Sequence, residues 1–73
     1  TPQAEVGDLL FSSALTEALA LLPEEQREAF LMKEVLGFKF REISEQIGVS
    51  ESTVKSRWRY AMSKLRVTLE DWA

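Results

Sequence analysis

The 73-residue chain is 45% hydrophobic and 29% charged, the balance of a folded domain rather than a disordered tail, and its length allows one small core with a net stability of about 3–5 kcal/mol. It has no cysteine and no histidine, which excludes disulfides, the usual zinc ligands and Ser/His or Cys/His catalysis, so neither metal nor cofactor is expected. The net charge of −3 argues against nucleic acid only as an average: residues 1–36 carry seven acids and two bases, whereas residues 52–69 carry five bases (Lys55, Arg57, Arg59, Lys64, Arg66) and no acid.

Apolar residues recur at three- and four-residue steps throughout, and nothing alternates with period two, so the expected class is all-α: one domain over 1–73 with four helices and no winged element. The first helix is expected over about residues 6–21, with Leu9, Leu10, Ala14, Leu15, Ala18, Leu19 and Leu22 forming one stripe. Pro23 ends it and suits the first position of a second helix, which begins with Glu24 and Glu25 at the positive end of its dipole. That helix runs through Phe30, Leu31, Val35 and Leu36 (24–36) and stops at Gly37, a residue suited to the left-handed position past a helix end. A short third helix follows over 40–47, closed by Gly48, and Ser50 is a good N-cap for the fourth, over 51–69. Asp71, Trp72 and Ala73 are expected to fray. No apolar run nears the ~20 residues of a membrane span, and there is no basic leader with a small-residue cleavage site, so a cytoplasmic location is the default. The opening Thr1 suggests a segment excised from a longer chain.

Residues 40–69 have the proportions of a helix-turn-helix: a short helix, a Gly48-Val49-Ser50 turn and a longer helix. Ile43 and Ile47 supply apolar residues four apart, and Ser44 a small side chain where the helices approach. Gly48 tolerates positive φ, Val49 plugs the turn, and Val54 is the first core residue beyond it. On a helical projection Val54, Trp58, Ala61, Met62, Leu65 and Leu69 share one face of the fourth helix. Opposite lie Ser52, Thr53, Ser56, Arg59, Tyr60 and Ser63, with Lys55 and Arg66 on one flank and Arg57 and Lys64 on the other. Small hydroxyls and one long arginine over the bases, with cations toward both phosphate ridges, suit a helix in a major groove. Each feature also has a plainer reading: a basic helix face is often only solvated, a Gly-Val-Ser turn occurs in many bundles, and Tyr60 fits either DNA contact or packing at the core edge. Only the conjunction points to DNA.

The segments Leu21-Leu22-Pro23-Glu24-Glu25-Gln26-Arg27-Glu28-Ala29-Phe30, Glu34-Val35-Leu36-Gly37, Glu42-Ile43-Ser44, Ile47-Gly48-Val49-Ser50, Thr53-Val54-Lys55-Ser56-Arg57 and Lys64-Leu65-Arg66 resemble domain 4 of bacterial sigma factors, most closely the extracytoplasmic-function group. The resemblance covers roughly residues 9–69. It implies an alternative sigma factor that directs RNA polymerase to promoters by reading the minus-35 element with the second helix of the helix-turn-helix. It also implies docking on the polymerase β flap and, in many cases, sequestration by an anti-sigma factor. Carried over by motif, Thr53, Lys55, Ser56 and Arg59 face bases or adjacent phosphates, Arg57 binds backbone, and Lys39 and Arg41 meet a phosphate strand. Four positions depart from the pattern: Lys39 replaces a common capping serine, Ser44 a usual alanine, Trp58 a common leucine, and Tyr60 a residue that is often basic. The resemblance leaves the minus-10-reading domain to a longer parent sigma factor, of which this chain is expected to be the excised C-terminal part, monomeric in isolation. Two other binding readings stay open. One is a response-regulator output domain, which shares Thr-Val-Lys but follows it with a histidine. The other is a decoy that keeps the fold for an anti-sigma partner without reading DNA. An enzyme is disfavoured, because the Glu24-Glu25 pair is explained by its helix start.

Overall fold

A computed structural model of the protein describes residues 12–70; the expectations for residues 6–11, Leu9 and Leu10 among them, and for Asp71, Trp72 and Ala73 lie outside these. The described residues are all-α, with no strand among them: α1 (residues 12–20), α2 (Glu24–Phe30), α3 (Phe40–Ile47) and α4 (Glu51–Leu69). α4 is the organising element, packed against both α2 and α3.

The α1–α2 corner is built from Leu22, Pro23 and Arg27. The chain tightens as Leu21 and Leu22 donate to the carbonyls of Ala18 and Leu19, and Arg27 reaches back from α2 to the carbonyls of Leu19 (3.4 Å) and Leu22 (3.3 Å). A guanidinium thus meets the last carbonyls at the negative end of the α1 dipole. Pro23 lies one residue outside the expected place. Its ψ of 145° is extended, so it is the N-cap, and its carbonyl accepts from the backbone N–H groups of Gln26 and Arg27.

The expected regular helix over 24–36 is corrected by the structure. Regular α-geometry ends at Phe30, and Leu31–Val35 form a widened π turn closed by Leu36 N–H donating to the Leu31 carbonyl, five residues back. Gly37 then takes φ +76°, and Phe38 N–H donates to Met32 O at 2.9 Å. The burial pattern changes with it. Ala29, not the larger apolar residues, is the fully buried side chain of α2, while Val35 and Leu36 are 66% and 64% exposed.

One core cluster joins Ala18 and Leu22 to Ala61 and Leu65 of α4, flanked by Leu15, Leu19, Phe30 and Leu69. Alanines at Ala18 and Ala61 leave room for α1 and α4 to approach closely. Nearer the turn, Ile43 and Val54 are fully enclosed, each stabilising the helix pair by about 1.5–3 kcal/mol. Gly48 ends α3 at φ +74° and donates to the Ser44 carbonyl. Ser44 is more than a small spacer: its hydroxyl donates to Val49 O at 2.6 Å and clasps the turn. Ser50 caps α4, its hydroxyl accepting from Thr53 N–H at 3.0 Å.

Candidate nucleic-acid interface

Burying Val54, Ala61 and Leu65 inward fixes which side of α4 faces out. Ser52, Ser56, Arg59 and Ser63 are exposed there. Tyr60 is 61% exposed, so it is not packed into the core edge. Thr53 is half-buried, and its hydroxyl lies 2.8 Å from Ser50 Oγ.

The cations divide into engaged and free. Arg57, expected on an open flank, is only 23% exposed in its side chain and leans on Glu25 of α2 at 3.7 Å. Lys55 lies 3.8 Å from Glu51, and Arg41 3.3 Å from Glu45, both one turn apart on exposed helix surface. Such surface pairs contribute only about 0–1 kcal/mol and release a cation readily to a phosphate. Arg59, Lys64 and Arg66 are exposed and form no ion pair among the described residues, and neither does Lys39. Lys64 and Arg66 lie nine and eleven residues past Lys55, about 14 and 17 Å along the helix. They border grooves shared with α1 or the end of α4 rather than the turn. The residues near the helix-turn-helix therefore form one group, and Lys64 with Arg66 a separate one.

Lys39 is the N-cap of α3 (φ −76°, ψ 152°). Glu42 accepts from its backbone N–H at 2.8 Å, which is half a capping box. The other half is missing because an ammonium has no lone pair to offer the helix N–H groups. The outward positive charge comes at that cost.

Beside α3 lies a cluster that periodicity did not single out. Phe40 and Trp58 meet edge to face, with centroids 5.5 Å apart and planes at 74°. Lys33 stands 4.6 Å from the centroid of the Phe40 ring and Lys55 5.9 Å, both within cation–π range. Trp58 is half-buried rather than enclosed, and its indole N–H donates to Glu34 Oε1 at 2.9 Å. Lys33 and Glu34 are consecutive residues of the π turn, and the widened turn brings both to one aromatic pair. The aromatic residues and the neighbouring charges were visible in the sequence, but their meeting depends on a turn that helix propensity does not encode. Ile47 and Val49 are half-buried beside this pair of helices.

Among the described residues no helix is long and apolar enough to cross a membrane.

A sequence-family profile described as Sigma-70, region 4 matches residues 12–65. The chain is 36% identical over 67 residues to the ECF RNA polymerase sigma factor SigL of Mycobacterium tuberculosis, covering 92% of this chain and 38% of that one. It is 37% identical over 65 residues to the RNA polymerase sigma factor FliA of Pseudomonas aeruginosa, covering 89% and 26%. With the positive control factor of Bacillus subtilis it shares 35% over 57 residues, covering 78% and 34%. The chain thus spans well under half the length of these relatives, and by profile and relatives alike it belongs to the sigma-70 region 4 family.

Proposed function

We propose that the chain is the promoter-reading domain of an alternative sigma factor and that α4 enters the major groove of the minus-35 element. The observation that carries this reading is the exposed, acid-free face of Ser52, Ser56, Arg59 and Tyr60 above the buried Val54. Arg59 and Ser56 read base edges near the N-terminal half of the helix. Lys39, Arg41 and Lys55, joined by Lys33 on the Phe40 ring, contact phosphates around them. Arg57 serves less as a phosphate ligand than as a tie to Glu25. Lys64 and Arg66 act farther along the duplex backbone.

Alone, one small monomeric reader binds weakly, and RNA polymerase supplies the tether that raises its effective concentration. A groove of about 470 Å³ lined by Leu31, Met32, Leu36 and Phe38 together with Glu24, Arg27, Glu28 and Gln46 is the surface we assign to the polymerase β flap. The rest of a longer sigma factor reads the minus-10 element, and an anti-sigma factor silences the domain by covering one of these faces. The protein works on DNA in the cytoplasm and carries out no catalysis of its own.

A decoy that binds only an anti-sigma partner is separated by selection from random duplexes with the chain fused to the polymerase flap. Enrichment of one motif is the expected result; a pool that stays random after several rounds refutes the reading.

A further inference from the structure

We propose that Glu34 is a positioning residue for sequence discrimination: by accepting the indole N–H of Trp58 it sets the roll and tilt of α4 and thereby which base edges Ser56 and Arg59 meet. This rests on the reading that α4 enters the groove.

Trp58 lies between the two reading positions, two residues after Ser56 and immediately before Arg59. α4 is a continuous helix, so a constraint on the Trp58 ring is passed to both neighbours as a rigid-body rotation. Two polar contacts tie the segment containing α2 and its π turn to α4 among the described residues. Glu25–Arg57 is long at 3.7 Å, and its carboxylate is 72% exposed. Glu34–Trp58 is 2.9 Å, well inside hydrogen-bond range, and spans 24 residues of sequence. The ring it holds is fixed on its other side by Phe40 at the start of α3. This hydrogen bond, made by an exposed carboxylate, therefore ties the π turn to α4 beside the ring contact of Trp58 with α3, where the two helices of the reading unit meet. The position of Glu34 also works against plain affinity. A carboxylate next in sequence to Lys33, whose ammonium lies on the Phe40 ring, weakens attraction to DNA, and such a residue is better suited to geometry than to binding strength.

The opposing electrostatic and geometric effects give the test its resolution. The measured quantity is the ratio of affinities for the selected motif and for a scrambled duplex of equal length, in the chain itself, with thermal melts confirming folding. Glu34→Gln keeps a carbonyl acceptor and removes the charge, so both affinities rise together and the ratio stays within about twofold of the parent. Glu34→Ala removes acceptor and charge, so scrambled-duplex affinity rises as for Gln while the ratio falls by about threefold or more. Trp58→Phe keeps an aromatic ring without the N–H and lowers the ratio similarly, and combining it with Glu34→Ala adds little, because both remove one interaction. Equal ratios for Gln and Ala variants, or fully additive losses in the double variant, overturn the inference. A parent chain with a ratio of one overturns the DNA-reading function itself, a distinguishable result.

Discussion

Replacing Val54 by alanine tests the facing of α4 through stability. Val54 is 0% exposed, whereas Val67, on the same helix, is 65% exposed. The two substitutions delete the same atoms and change helix propensity equally, so their difference isolates burial. Removing two buried methyl groups costs about 1.6 kcal/mol of transfer energy, and incomplete collapse of the cavity raises this to roughly 2–3 kcal/mol. A domain of this size holds about 3–5 kcal/mol in all, so about two fifths or more of its stability is lost. With a urea m value near 1 kcal/mol/M for so small a chain, the Val54→Ala midpoint falls by about 2 M, and the Val67→Ala midpoint by less than about 0.5 M. Urea titration followed by far-ultraviolet circular dichroism measures both. Equal shifts for the two variants would refute the assignment of inner and outer faces, and with it the outward placement of Ser56 and Arg59. The harsher Val54→Asp leaves no folded chain at 25 °C, since it buries an unpaired carboxylate.

Arg27→Ala lowers stability by about 1–2 kcal/mol and Arg27→Lys recovers only part of it, because one guanidinium nitrogen serves the carbonyls of both Leu19 and Leu22; thermal melts compare the three proteins. Ser50→Ala costs about 1 kcal/mol through loss of the α4 cap, whereas Ser63→Ala on the exposed mid-helix is neutral within about 0.5 kcal/mol in the same melts. Affinity for the selected duplex, followed by fluorescence anisotropy, falls with salt at a log–log slope near −5.4 for about six phosphate contacts (Lys33, Lys39, Arg41, Lys55, Lys64 and Arg66), and Lys55→Ala reduces that slope by about 0.9; a slope close to zero contradicts phosphate contact altogether. Arg59→Ala weakens binding to the selected duplex by about 1–3 kcal/mol and relaxes preference at one base pair, while an equal loss on scrambled duplex makes Arg59 a backbone ligand instead.

Helical periodicity carried the all-α class, because the stripe on α4 from Val54 to Leu65 repeats at helical steps that burial then follows. The capping chemistry of Ser50 and the left-handed residues Gly37 and Gly48 were legible for the same local reason: each acts within a few residues of itself. What local patterns do not encode is where a helix widens. Leu31–Val35 has ordinary helix formers, yet it adopts a π turn, and its apolar Val35 and neighbouring Leu36 are exposed while Ala29 is buried. The cost to the site reading was specific. Arg57 has every mark of a free flank cation in the sequence, but its side chain is 23% exposed and lies 3.7 Å from Glu25, 32 residues earlier. Lys33 and Glu34 lie in the acidic half of the chain, and only tertiary packing brings them to Phe40 and Trp58.

In the proposed complex the outward side of α4 around Ser56 and Arg59 meets the bases. Titrating the isotope-labelled chain with the selected duplex and following backbone amide resonances tests it most directly. The largest perturbations are expected at Ser52, Ser56, Arg59 and Tyr60 and around Lys39–Arg41, with little change in α1. Perturbations centred on α1 or on Val35 and Leu36, with the α4 face silent, would contradict it.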